Sequence, residues 1–326
     1  MNENYPTAPK VSVCLPTYNY AHYISHAVES VLSQRFTDFE LIIVDDCSVD
    51  NTEEVVSRYR CDKRVSFEKN ERNLGLVANW NKCLSKAKGE YIKFIFADDM
   101  LASDDALGRM AGVLDSDRSI SLVASARHLI DSDSRITGLV SHFPPDFVVD
   151  GPEVITRCIK EDLNLIGEPT VVLFRRADAS RGFNGKYQQI VDLEMWFHLL
   201  EKGRFAFIAD PLASFRVHPG QKTKENEARL IHLDDLYLLL KDYLGKPYVN
   251  IGFARRFFQT FSILYLFRKF GKKGVITREE AKRRISAHCS YFRFCFYYVS
   301  YKIIRMYFKL RRSIAKRTGW FEDFKF

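Results

Sequence analysis

Gly89-Glu90-Tyr91-Ile92-Lys93-Phe94-Ile95-Phe96-Ala97-Asp98-Asp99 is the stretch on which the reading of this chain turns. Tyr91 to Ala97 carries no acid and is mostly apolar or aromatic, so it reads as a buried strand. Met100-Leu101-Ala102-Ser103 reads as the loop into the next helix. Two adjacent carboxylates close the run. Acids at the C-terminal end of a strand in an open α/β sheet lie where ligands bind. Side by side they repel and need neutralising. A divalent cation held by oxygen ligands, with a substrate diphosphate as its partner, does so. The competing reading is plainer: one Asp caps the following helix.

The flanking sequence repeats the pattern. Val11 to Tyr18 is a strand stopped by Pro16, and His22 to Gln34 places Ile24, Ala27, Val28, Val31 and Leu32 at helical spacing. Phe39 to Val44 is a second strand ending in Asp45-Asp46, and Asp50-Asn-Thr-Glu53 reads as a capping box opening a helix to about Tyr59. Val65 to Glu68 is a short strand, Asn73-Leu-Gly75 a turn, and Leu76 to Ala87 a helix. After the quoted stretch come a helix with Leu107, Met110, Ala111 and Leu114 on one side and a strand from Ser121 to Ile130. Strands alternating with helices predict an α/β fold, a mainly parallel, Rossmann-like sheet flanked by helices. Three strand ends, Thr17-Tyr18-Asn19, Asp45-Asp46 and Asp98-Asp99, then fall on one edge of that sheet.

From Asp131 to Leu165 the periodicity weakens under Pro144, Pro145 and Pro152, with one helix expected over Pro152 to Lys160. This reads as an irregular excursion over the site. Glu168 to Phe174 is expected as a strand, Val191 to Leu200 as a helix, and Phe205 to Ile208 and Ala213 to Val217 as two short strands before His218-Pro-Gly220. Trp80 and Trp196 read as core. The chain divides into a catalytic domain, 1–225, and a helical, basic and aromatic C-terminal extension, 226–326.

Composition sets bounds. The 326 residues are 46% hydrophobic and 28% charged, as in a soluble globular protein. Met1 to Lys10 is polar and has no apolar core, so no signal peptide is expected. Seven dispersed cysteines without a CxxC pair point to reduced thiols in a cytosol, not to a disulfide frame or zinc site. No GxGxxG follows the first strand and no GxxxxGK[ST] occurs, so a diphosphate would be held by metal and side chains, not by a glycine cradle.

Taken together, Val11-Ser-Val-Cys-Leu-Pro-Thr-Tyr-Asn19, Ala27 to Gln34, Phe39 to Thr52, Asn73-Leu-Gly75, Gly89-Glu-Tyr-Ile92, Asp98-Asp99, Asp192-Leu-Glu-Met-Trp196 and Phe215-Arg-Val-His218 form an ordered set. In that order, over residues 10 to 220, the chain resembles a family 2 glycosyltransferase of the GT-A group, which uses nucleotide sugars. The resemblance implies that Pro16, Thr17 and Asn19 line a nucleotide pocket. It implies that Asp45 or Asp46 contacts base or ribose, with Arg72 and Asn73 near the same ligand. Asp98 and Asp99 match the end of the family's DxD-type element, and His218 matches an R-x-H element near diphosphate or metal. Mg²⁺ or Mn²⁺ on Asp98, Asp99 and His218 is therefore expected. The sequence departs in one place: Phe96 stands where a further carboxylate is usual, which lowers the expected metal affinity.

The resemblance also implies an inverting mechanism with Asp192 as general base. Glu194 is the rival acid and a candidate for substrate binding, and helix-dipole complementarity is the ordinary explanation for both. The implied donor is a UDP-, dTDP- or GDP-sugar, and the acceptor a glycan or polyprenyl-linked saccharide in cell-surface polysaccharide synthesis. A protein that keeps the fold only to bind nucleotide sugars or glycans is the alternative from another class. A processive synthase would need spanning helices and a Q-x-x-R-W sequence, and has neither.

The net charge of +8 belongs to the tail: Ala281 to Phe326 carries twelve basic residues and two acids. Tyr291 to Tyr301 is strongly aromatic, and Lys302, Arg305, Lys309, Arg312 and Lys316 recur at spacings of three and four. Ile303, Ile304, Tyr307, Phe308, Leu310 and Ile314 lie largely off that stripe. Its longest charge-free run, Phe294 to Tyr301, is too short to span a bilayer. A basic, aromatic amphipathic helix fits the surface of an anionic membrane, through residues 281–326, at the cytoplasmic inner face. Packing of its apolar face on the protein is the competing reading. No nucleic-acid motif accompanies it.

Overall fold

The computed structural model describes residues 8–145, 147–221, 226 and 228–318, with the side chains of 304 and 307–318 outside it. Its centre is one sheet built from β1 (Val11–Thr17), β2 (Phe39–Asp45), β3 (Val65–Lys69), β4 (Tyr91–Phe94), β5 (Met100–Leu101), β6 (Ile120–Ile130), β7 (Ile136–Val140), β8 (Phe147–Asp150), β9 (Val172–Arg175) and β10 (Arg204–Arg216). The order is β3-β2-β1-β4-β9-β6-β10-β5, with β7 on β6 and β8 on β10. Strands β3, β2, β1 and β4 are parallel, as are β6 and β10. β9 runs antiparallel between β4 and β6 and joins the two parallel parts.

Helices cover both faces. Val11, Val13, Leu15, Leu41, Ile43 and Tyr91 point to one face and share a core with α1 (Ile24–Leu32) and α4 (Ala106–Ser116). On the opposite face Phe94 meets Trp80 of α3 (Leu76–Lys86), and Phe174 meets Trp196 of α6 (Val191–Leu200). The two-residue side-chain period of the strands divides them between these cores. α2 (Thr52–Ser57) is short. Gly89 is required before β4, because a Cβ there would lie 2.5 Å from the Ser12 nitrogen. Its own N–H donates to Ser12 Oγ at 2.8 Å, fixing the entry of β4 beside β1.

Several expectations change. The quoted strand leaves the sheet after Phe94, and Met100–Leu101 pairs with β10 instead of serving as a plain loop. The span 131–165 is not an irregular cover: it supplies edge strands β7 and β8 and then α5 (Gly151–Glu161). The segment expected as a strand from Glu168 begins as a 3₁₀ turn, Pro169–Val171. The two short strands after Phe205 are one bent strand, β10, with register shifts around Pro211. Asp50 does not box with Glu53. Its Oδ1 accepts from the Thr52 N–H and its Oδ2 from the Ala21 N–H, which ties the β1–α1 and β2–α2 loops together.

The chain divides into two compact units, residues 1–155 with 164–229, and 156–163 with 230–326. The second therefore recruits a short earlier segment, where a single break at 225/226 was expected. It contains α7 (Ile231–Tyr243), α8 (Phe253–Lys273), α9 (Arg278–His288) and α10 (Tyr291–Thr318).

Candidate active site

The site forms where β1, β2 and β4 end. In the parallel register Thr17 lies opposite Asp45, and both are buried. Asp45 Oδ1 accepts from the Ser48 N–H at 3.1 Å and from the Ser48 hydroxyl. Burial pushes the Asp45 carboxyl up, against those hydrogen bonds. Asp45 Oδ2 and Thr17 Oγ1 are buried with no hydrogen-bond partner among the described residues. An unpaired buried polar atom is costly, so these two at facing register positions stand out from the rest of the strand ends.

Asp46 has a different task. Its Oδ1 accepts from Asn70 Nδ2 and the Leu74 N–H, both at 2.8 Å, and its Oδ2 from the Gly75 N–H at 2.9 Å. Asn73 Nδ2 donates to the Asp46 carbonyl at 3.2 Å. Together they build the turn in which Gly75 takes a φ of +84°, a value that favours glycine. Arg72 is exposed on that turn. Asn19, itself at a φ of +59°, donates its N–H to Ser48 Oγ and accepts the Val49 N–H on Oδ1 at 2.9 Å. Pro16 is buried within β1. Of the nucleotide-pocket candidates, Asp46, Asn73 and Asn19 are thus committed to shaping loops, and Thr17 and Asp45 keep unused atoms.

The second corner joins β4 to the end of β10. Asp98 Oδ2 lies 3.2 Å from His218 Nε2. Arg216 arranges the approach: its Nε donates to the Asp98 carbonyl at 2.7 Å, and its guanidinium stands 4.4 Å above the Tyr23 ring. The His218 ring packs on Tyr20 and Tyr23, with centroids at 5.9 and 5.3 Å. Burial and the Asp98 and Asp99 charges push the Tyr20 hydroxyl up, a hydrogen bond to Asp98 adding to the shift.

Asp99 turns inward. It is 1% exposed, its Oδ1 accepts the Arg216 N–H at 2.9 Å, and its Oδ2 accepts the Thr170 hydroxyl. Burial, then the Asp98 charge, push its carboxyl well up. Below it the fully buried Lys93 amine donates to the Thr170 carbonyl and to the Val172 carbonyl at 3.3 Å, and burial pulls it down to about 7.

Asp192 opens α6, and its Oδ1 accepts the Leu193 N–H at 2.8 Å. Burial pushes its carboxyl up to about 7, with the Glu168 charge adding and the Leu193 hydrogen bond opposing. Glu168 raises Asp99 too, so the turn before β9 links these acids electrostatically. Glu194 instead gives both oxygens to Arg181, at 3.0 and 2.8 Å, on a nearly buried side chain. Trp196 is core, donating Nε1–H to the Gly167 carbonyl at 3.0 Å.

Phe96 fills the place of the expected carboxylate by packing on Trp80, ring centroids 4.9 Å apart, in a cluster with Phe94 and Phe183. Among the described residues no three metal-binding side chains converge. Asp98 and His218 nevertheless fit a cation that takes its other ligands from a diphosphate, because such cations keep few protein ligands. Tyr20, Thr170 and Glu168 were not expected as parts of this corner; Arg216, readable as an ordinary surface-strand arginine that the same pocket could use, is fully buried in it. A lone lysine in the apolar run of β4 was the one visible signal for the buried Lys93 network.

The family model of glycosyl transferase family 2 matches residues 12–183. The putative teichuronic acid biosynthesis glycosyltransferase TuaG of Bacillus subtilis (strain 168) is 32% identical over 212 residues, covering 64% of this chain and 79% of the relative. Among solved structures, S. aureus TarS 1–349 in complex with UDP-GlcNAc superposes with a TM-score of 0.65 at 22% identity, over 85% of this chain and 79% of that one. The mannosyltransferase PcManGT from Pyrobaculum calidifontis, in complex with GDP-Man and Mn²⁺, gives 0.51 at 17% identity, over 87% and 74%. At these identities the structures share the GT-A fold.

Proposed function

This chain belongs to glycosyl transferase family 2, and from that premise we propose that it is an inverting transferase acting on a nucleoside diphosphate sugar. The observation that carries the proposal is the Asp98–His218 pair, set at the sheet edge where a diphosphate binds. Thr17 and Asp45 are the residues we assign to the base or ribose, since Thr17 Oγ1 and Asp45 Oδ2 have no partner among the described residues. Asp98 and His218, and not the inward-facing Asp99, hold the cation. When bound, Mg²⁺ or Mn²⁺ offsets the negative charge that builds on the departing diphosphate.

The chain's own residues do the rest. The acceptor oxygen forms the new bond to the anomeric carbon as the bond from that carbon to the diphosphate oxygen breaks. The acceptor hydroxyl proton goes to Asp192. A carboxyl held at about 7 by burial suits this step, because a general base works best with a pKa near the working pH. Attack opposite the leaving group inverts the anomeric centre. Arg216 fixes the Asp98 backbone, and Tyr20 and Tyr23 hold the His218 ring.

A glycan or polyprenyl-linked saccharide of cell-surface polysaccharide synthesis is the acceptor we assign, the name of TuaG supporting that direction. Such an acceptor places the reaction at the inner face of the membrane. The donor is tested by titrating UDP-, dTDP- and GDP-sugars with Mn²⁺ and following the melting temperature. One base should raise it in a Mn²⁺-dependent way; no shift with any donor contradicts the proposal.

A further inference from the structure

Among its described side chains helix α10 presents two apolar stripes, one of them packed within its unit. Phe294 and Tyr301 are buried, and Tyr298 is half-buried. Phe294 stacks on Phe261 of α8 at 5.2 Å, Tyr301 on Phe258 at 5.2 Å, and Tyr298 on Tyr265 at 6.0 Å. That stripe fixes the rotation of α10 about its axis. Phe292, Phe296, Val299, Ile303 and Met306, at alternating steps of four and three, then fall on another side. They are 82, 70, 61, 58 and 66% exposed, so a row of five apolar side chains about 21 Å long faces solvent. Isolated exposed apolar residues are ordinary; a continuous row marks a contact surface.

We infer that this row docks on an anionic lipid surface. The charge beside it decides the partner. From Ala281 to Met306 the sequence holds six basic residues and no acid. Lys282, Arg283, Arg293 and Lys302 are exposed. Arg284 is bound to Asp234 and Glu280 inside the unit, whereas Arg305, Lys302 and Lys282 lie 4.8, 5.0 and 5.3 Å from the Tyr265, Tyr298 and Tyr291 ring centroids. The charged residues beside the row, Arg293 and Lys302, are both cations. A second copy paired along the same row would bring like charges together with no acid to match them, whereas anionic headgroups complement them. No helix among the described residues is long and apolar enough to cross a membrane, so the row lies in the interface. The sequence predicts contact through residues 281–326 as a basic, aromatic amphipathic helix, with Lys302, Arg305, Lys309, Arg312 and Lys316 as its basic stripe. Arg305 is half-buried, and the side chains of the last three lie outside the described residues. The exposed apolar row is the contact, and the neighbouring cations are its rim.

The inference does not depend on the sugar-transfer reading. It is tested by sedimenting the full chain with vesicles of phosphatidylcholine alone or mixed with phosphatidylglycerol, and measuring its mass by light scattering. The native chain should bind mixed vesicles roughly tenfold or more tightly than neutral ones. Phe296→Asp with Ile303→Asp should weaken that binding by roughly tenfold or more. Both side chains are exposed, so the melting temperature should not move. No binding of the native chain to mixed vesicles, or equal binding by the double variant, overturns the inference. A row that instead sets the oligomeric mass belongs to a second copy, which overturns it as well.

Discussion

Asp98 Oδ2 and His218 Nε2 meet at 3.2 Å although 120 residues separate them in the chain. The sheet makes the meeting possible: Asp98 follows β4, His218 follows β10, and Arg216 at the end of β10 donates its backbone N–H to Asp99 Oδ1 and its Nε–H to the Asp98 carbonyl. If this pair holds the cation, chelation should abolish transfer and Mn²⁺ should restore it. His218→Ala should raise the Mn²⁺ concentration for half-maximal rate by roughly tenfold or more, a loss typical of a weakened metal shell. Activity that survives exhaustive chelation would remove the assignment.

The Asp192 carboxyl predicts a pH profile. It stands at about 7, above its ordinary 3.8, so it is protonated in mild acid and, as the proposed base, inactive there. The value of kcat/KM should rise about tenfold per pH unit below 7 and level off above it. The stability sign follows from the same shift. A raised carboxyl makes the ionised form the one the fold disfavours, so the cost is absent well below pH 4, grows between 4 and 7, and is constant above. Asp192→Asn should therefore melt higher than the native chain at pH 8, with the advantage shrinking toward pH 4. A flat difference across that range would show that the carboxyl is not shifted.

Asp45 and Asp46 should separate in their effects. Asp45→Asn leaves the turn at Gly75 intact and should raise KM for the donor by about tenfold, with little change in melting temperature. Asp46→Ala removes the acceptor of three hydrogen bonds and should cost about 2–4 kcal/mol of stability. Chemical denaturation and donor titration of both variants check the pair of outcomes, and equal stability losses would contradict it.

Phe96→Asp tests whether the missing carboxylate can simply be put back. The new acid would sit against Trp80 in an aromatic cluster, so the variant should lose about 2–4 kcal/mol. It should gain no Mn²⁺ affinity. A tighter Mn²⁺ half-saturation at unchanged stability would show that the ring merely covers a metal position.

Apart from β5, the order of elements from β1 to β6 was legible because the strands and helices there have a clean period. Direction was not: nothing in Val172 to Arg175 says that β9 runs antiparallel between two parallel parts. β5 and the edge strands β7 and β8 are short and carry no strong period. Pro211 hid the continuity of β10, since a strand bends there without ending. At the site, sequence placed Asp45, Asp46, Asp98 and Asp99 at strand ends but not the way each carboxylate turns. That choice depends on partners far along the chain, such as Thr170 and Arg216 for Asp99, and on the turn at Gly75 for Asp46. In the tail, amphipathicity was plain, while the split between a packed stripe and an exposed one needed the ring contacts of α8.

Donor turnover by Asp192→Asn tests the central claim most directly. The native chain and the variant are each saturated with the donor that binds, with Mn²⁺, and release of nucleoside diphosphate is followed with and without a saccharide acceptor. Donor binding should be equal in the two, with acceptor-dependent release lower by roughly a hundredfold or more in the variant. Release by the variant at the native rate would contradict the assignment of Asp192 as the base.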